Sequence, residues 1–187
     1  MMLSVREPAR PRDEYLRLRR AFEPDRIRLV IVGESPPVSG LYFYDPEGLV
    51  SEPLFSALMK RIGFIPSTKA EGLAELRRRG WLLVDATYQS VNPLSAKERD
   101  AVIEADYPLL RDDLRNLLGE HSDTPLVVIK ANVCRLVEPR LVRDGFTVLN
   151  RGRVVFFPSH GQQGRFHQQF EALVGPAPPV DGPAPSR

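Results

Sequence analysis

Leu29-Val30-Ile31-Val32-Gly33-Glu34-Ser35-Pro36-Pro37 is the stretch that decides how this chain folds. A short β-branched, apolar run reads as a buried strand, and it ends at a glycine followed by an acid, a hydroxyl and two prolines. Proline has no N–H for a sheet ladder, so the chain must leave the sheet there. Glu34 and Ser35 are thereby set at the carboxyl end of a rigid strand, the edge at which open α/β sheets bind ligands.

Outward from this strand, drawn at residues 27–32, apolar runs alternate with helical periodicity. Residues 13–22 place Tyr15, Leu16, Leu18 and Phe22 among charges, as an amphipathic helix does. Residues 52–63 read as a helix stopped by Gly63, and 72–79 as a shorter one stopped by Gly80. Trp81-Leu82-Leu83-Val84 is a second buried strand, delivering Asp85 and Thr87 to its end. The longest helical pattern spans 97–118, with an interruption expected at Pro108. A strand at 126–129 leads through Lys130, Ala131 and Asn132 into a helix at 133–142. Two further strands are expected at 146–149 and 154–157, then a helix at 165–173.

Strands separated by helices predict an α/β fold: a three-layer α/β/α arrangement around a central, mostly parallel, four- to five-stranded sheet. One domain is expected over residues 1–174, and the Pro/Gly/Ala-rich segment 175–187 lacks the apolar content to pack. The carboxyl edge of such a sheet collects Glu34 and Ser35, Asp85 and Thr87, Lys130 and Asn132, and Ser159 and His160.

The 187 residues carry a formal charge of only +2, so no global field demands a polyanionic partner, although arginines cluster at 10–28 and 77–79. The single Cys134 excludes an internal disulfide and a cysteine-only metal cage, and three scattered histidines show no metal-binding spacing. No cofactor or metal is expected. No apolar run approaches the roughly 18 residues of a membrane span, and the first residues lack a signal-peptide core, so a soluble, cytoplasmic chain is expected.

The loop after the first strand has neither G-x-G-x-x-G nor G-x-x-x-x-G-K-[ST], which removes the standard dinucleotide and triphosphate cradles. It carries G-E-S-P-P followed by G-L-Y-F-Y, and the last expected strand runs into Phe157-Pro158-Ser159-His160, then Arg165-Phe166. This ordered set, over roughly residues 27–172, resembles the uracil-DNA glycosylase superfamily. The resemblance implies a monomeric DNA repair enzyme, acting on a flipped or single-stranded base. It would hydrolyse the N-glycosidic bond of a damaged or deaminated base. It further implies Glu34 as the water-activating carboxylate, Phe43 as the aromatic that stacks on the base, and Asp85 in the place of the base-reading Asn. Ser159 and His160 would contact the leaving group or the backbone, while Ser35 and Arg165 would line the bound nucleotide.

The departures from the family pattern bear on chemistry. Ser35 stands where several branches have Asp or Asn, Pro37 where Gly or Tyr is usual, and Phe157 where many members carry a His that stabilises the departing base. His160, three residues on, is the candidate for that role. A carboxylate at Asp85 repels an anionic uracil and better accepts from an exocyclic amine or a ring N–H. Two other readings stand beside this one. A non-catalytic nucleic-acid binder of the same fold would bind DNA in a salt-dependent way without base release. A GDSL-like serine hydrolase would use Ser35, Asp85 and His160, against which Pro36 denies the oxyanion hole a backbone N–H.

Overall fold

The computed structural model describes residues 10–176. Six helices and three strands follow in the order α1 (Arg12–Arg20), β1 (Leu29–Gly33), α2 (Pro53–Ile62), α3 (Lys69–Arg79), β2 (Trp81–Asp85), α4 (Ala96–Leu118), β3 (Leu126–Val128), α5 (Ala131–Arg143) and α6 (Gln163–Val174). The tail expected from 175 onward lies, apart from Gly175 and Pro176, outside the described residues.

The sheet is parallel, in the order β2-β1-β3. β1 is central and buried along its whole length, which is why it reads as an unbroken apolar run rather than an alternating one. Gly33 lies opposite Asp85 and Val32 opposite Val128, so the three strands end together. The ladder runs slightly past the strands: the Ala86 and Thr87 N–H groups donate to the Gly33 and Glu34 carbonyls at 2.9 and 3.0 Å. Glu34, Asp85 and Lys130 therefore leave the same rim. The chain runs outward from β1 to β2 and then returns past β1 to β3, a reversal of the kind that opens a crevice at the carboxyl edge.

The sheet has three strands rather than four or five. Residues 146–149 and 154–157 do run beside the outer edge of β3, but as one broken border. Leu126 N–H donates to the Thr147 carbonyl at 2.8 Å and its carbonyl accepts from Leu149 at 2.9 Å, a single parallel bridge. The chain then turns at 150–153, and the side chain of Asn150 takes over the strand's role. Its amide accepts from Val128 N–H at 2.9 Å and donates to the Val128 carbonyl at 2.8 Å. Beyond the turn, the Val155 carbonyl accepts from Lys130 N–H at 2.8 Å.

The opposite edge is closed in the same manner. The Tyr44 hydroxyl donates to the Leu83 carbonyl at 3.0 Å and accepts from the Leu83 N–H at 2.7 Å. Both outer strands are thus finished by side chains rather than by neighbours. Tyr44→Phe leaves both Leu83 groups buried without a partner, an expected cost of about 1–3 kcal/mol. A calorimetric melt reads it as a drop of roughly 2–4 °C per kcal/mol; an unchanged melting temperature means that water reaches this edge.

Helix α4 runs unbroken through Pro108. Proline removes the N–H that would bond the Glu104 carbonyl, and the Arg140 guanidinium of α5 takes that carbonyl at 3.3 Å. Helix α4 packs on α5, and α2 on α6. The expected stops are in place, with Gly63 and Gly80 both left-handed at φ 66° and 78°. Among the described residues, no helix is long and apolar enough to cross a membrane.

Candidate functional site

A cleft of about 390 Å³ opens at the rim where β1 and β2 end. Its wall takes Glu34, Ser35, Pro36 and Pro37 from the loop after β1, Phe43 from the following segment, and Asp85 from the end of β2. Four sequence-derived candidates, Glu34, Ser35, Phe43 and Asp85, thus share one cavity of ligand-binding size. The loop is pinned from outside, because Val38 N–H donates to the Asn92 side chain at 3.1 Å.

Phe43 is buried and meets the Phe55 ring edge-on at 5.9 Å and the Tyr44 ring at 5.0 Å. Lys69 sets this wall from behind. Its ammonium is fully buried, donates to Glu52 at 2.6 Å and to the Tyr42 carbonyl at 2.8 Å, and lies 6.0 Å from the Phe43 ring centroid. Burial lowers its pKa, and the Glu52 carboxylate opposes that shift. Gly48 makes the approach possible: a Cβ there would lie 2.6 Å from Glu52 Oε1 and 2.8 Å from Lys69 Nζ.

Glu34 faces the cleft with its carboxylate engaged. One oxygen pairs with the Lys130 ammonium; the other accepts from Asn132 at 2.6 Å, with Arg99 Nε at 3.9 Å. Lys130 is also on the cleft wall, and it is the one non-glycine residue with positive φ among the described residues, at 78°. Its N–H bond to Val155 and its carbonyl bond to Cys134 N–H, which opens α5, hold it in that costly conformation. Strained backbone and a charge pair coincide at the cleft.

Asp85 is different. It is nine-tenths buried, yet its side chain makes no hydrogen bond or ion pair among the described residues. A Cβ added to Gly33 would sit 3.2 Å from its Oδ1, so the carboxyl lies over the glycine that ends β1. Burial pushes its pKa up to about 7; Arg19 pulls against this, and the charge of Glu34 adds to it. Arg19 itself is buried in a two-pronged pair with Asp113 at 2.6 and 2.8 Å, and donates to the Tyr88 hydroxyl at 3.0 Å.

Ser159, His160 and Arg165 do not join the cleft. All three are exposed; the Ser159 carbonyl accepts from Gln162 N–H, and the Arg165 guanidinium lies 4.9 Å over the Phe156 ring. Phe157, the preceding residue of that loop, does reach the cleft wall. His160 is therefore not on the wall of this cleft. Of the residues that surround Glu34, Lys130 and Asn132 stand on the rim that the sequence predicts but carry no role there, and Arg99 is not singled out by the sequence. Lys-Ala-Asn directly after a buried strand was the visible signal for the first two. Nothing separates Arg99 from its charged neighbours in a helix. Among the described residues, no group of three or more His, Cys, Asp or Glu side chains comes together as a metal site.

No protein-family model, curated protein or solved structure matches this chain.

Proposed function

We propose that this chain is a uracil-DNA glycosylase-like protein that hydrolyses the N-glycosidic bond of a damaged or deaminated base in DNA. The observation that carries the reading is the meeting of Glu34, Ser35, Phe43 and Asp85 in one cleft at the carboxyl edge of the sheet. They come from three separate stretches of sequence, and the resemblance assigns all of them to one bound nucleotide.

In this reading, Phe43 and the Pro36-Pro37 turn sandwich a planar base and Asp85 meets its polar edge. Glu34 presents negative charge to the sugar. Breaking the glycosidic bond leaves positive charge on the sugar and negative charge on the base. The carboxylate of Glu34 opposes the first charge. The Lys130 ammonium beside it is a cation suited to the second, a role left open by Phe157 and by the exposed His160.

The pairing of Glu34 with Lys130, Asn132 and Arg99 also favours a second reading, a non-catalytic member of the fold whose carboxylate serves as an anchor. One experiment decides between them. Single- and double-stranded oligonucleotides carrying one uracil, hypoxanthine or xanthine are incubated with excess protein, and abasic sites are revealed by alkali. Base release from at least one substrate is the expected result. Salt-dependent binding with no release from any of them leaves the non-catalytic reading, and absence of binding at low salt removes both.

A further inference from the structure

The glycosylase reading puts Asp85 at the polar edge of the base but does not say which edges a carboxyl there takes. Among the described residues it is the buried carboxyl of the cleft with no partner of its own, whereas Glu34 is fully engaged and Glu52 is held by Lys69. A buried polar group without a partner is costly unless a ligand supplies one. It also lines a second, smaller cavity of about 160 Å³, with Thr87, Tyr88 and Gln89. Asp85 thus lines two spaces, one of them large enough for a planar base.

We infer that Asp85 makes the cleft a proton-linked reader of nucleobase edges, taking the N–H/C=O lactam edge as a carboxylic acid and an edge of two N–H donors as a carboxylate. The inference rests on the reading of the cleft as a nucleobase site. The chemistry is that of matched donors and acceptors. A neutral carboxyl donates O–H to the base carbonyl and accepts the adjacent N–H through its own carbonyl, closing a ring of two hydrogen bonds. Deaminated bases such as uracil and hypoxanthine present this edge. An ionised carboxyl has only acceptors, so it opposes the base carbonyl and loses one bond of the pair. Guanine offers both edges: N1–H with O6 to the acid, and N1–H with the 2-amino group to the carboxylate.

The groups around Asp85 keep this choice within reach near neutrality. Arg19 of α1 favours the carboxylate, and Glu34 and burial favour the acid. The hydroxyls of Tyr15 on α1 and of Tyr42, Tyr44 and Tyr88 each feel its charge. On the side of the smaller cavity stand Arg12 of α1 and Asp106 and Asp113 of α4; Asp113 is neutralised by Arg19, and Asp106 accepts from Thr87 and Gln89. Among the described residues, no cation pairs with Asp85 directly.

The test measures affinity of the intact protein for deoxyuridine, deoxyinosine and deoxyguanosine by ligand-observed NMR titration, in wild type and in Asp85→Asn. Between about pH 6 and about pH 8 the wild type is expected to lose roughly tenfold in affinity for deoxyuridine and deoxyinosine, while deoxyguanosine stays within about twofold. In Asp85→Asn the amide pairs with the lactam edge at every pH, so the loss disappears. Binding that is flat with pH in the wild type, or a loss that persists in Asp85→Asn, overturns the inference and leaves the nucleobase site standing. No binding of any nucleoside by either protein overturns the inference together with the reading beneath it.

Discussion

Replacing Arg19 by Met is expected to cost about 3–5 kcal/mol of folding stability, measured by urea unfolding near neutral pH. The side chain is only 3% exposed and its guanidinium is spent on Asp113 by two bonds, on Tyr88 by one and on Glu23 at 3.1 Å. Met fills much of the volume, so the loss is electrostatic rather than a cavity. It leaves the Asp113 carboxylate, itself 13% exposed, with no counter-charge. Arg19→Lys retains the charge and forfeits the two-pronged geometry, so it falls between the wild type and Met. A second readout ties the pair to the cleft. Arg19 is the charge that holds Asp85 down, so in Arg19→Met the Asp85 carboxyl titrates at higher pH, visible in its carboxyl carbon shift. A loss under about 1 kcal/mol would mean that water reaches this pair and screens it.

The parts legible in the sequence are those fixed by local chemistry. β1 and β2 announce themselves as apolar runs that end at Gly33 and Asp85, and both structures end there. Gly63 and Gly80 stop their helices in the left-handed conformation that their lack of a side chain permits. What the sequence hid depends on partners far away along the chain. Residues 146–149 and 154–157 have strand composition, but Asn150 replaces backbone with side chain at Val128, and a pattern of apolar residues does not carry that substitution. Pro108 looks like a break until Arg140, from another helix, takes the carbonyl it frees.

The same division runs through the site. Glu34, Ser35, Phe43 and Asp85 are held within a few residues of strand ends, so their meeting follows from the sheet. Motif order places Ser159, His160 and Arg165 at the rim, but they follow the broken border of β3 and are exposed, Arg165 within α6. Lys69 and Arg19 look like any charged residue on an amphipathic helix. Only their depth, and the carboxylates that meet them there, mark them as parts that shape the cleft.

Glu34→Gln is expected to lower the rate of base release by about 10²- to 10⁴-fold while leaving nucleoside affinity within a factor of about two. Gln has the size of Glu and its carbonyl still accepts from Asn132, so the wall of the cleft keeps its form. What disappears is the negative charge. In the wild type it does two things at once, neutralising the buried side of Lys130 and opposing the positive charge that grows on the sugar as the bond breaks. Without it, the positive charge that grows on the sugar goes unopposed, while the Lys130 ammonium still faces the departing base, so the barrier rises on the sugar side. Single-turnover rates on the preferred oligonucleotide, set beside nucleoside binding and a thermal melt, separate this from a structural effect. An anchor residue moves the melt and leaves the chemical step of the remaining folded protein intact. A catalytic carboxylate does the reverse, and a rate unchanged in Glu34→Gln would assign the water and the sugar charge to another group in the cleft; Asp85 is its carboxyl with no hydrogen-bond or ion-pair partner among the described residues.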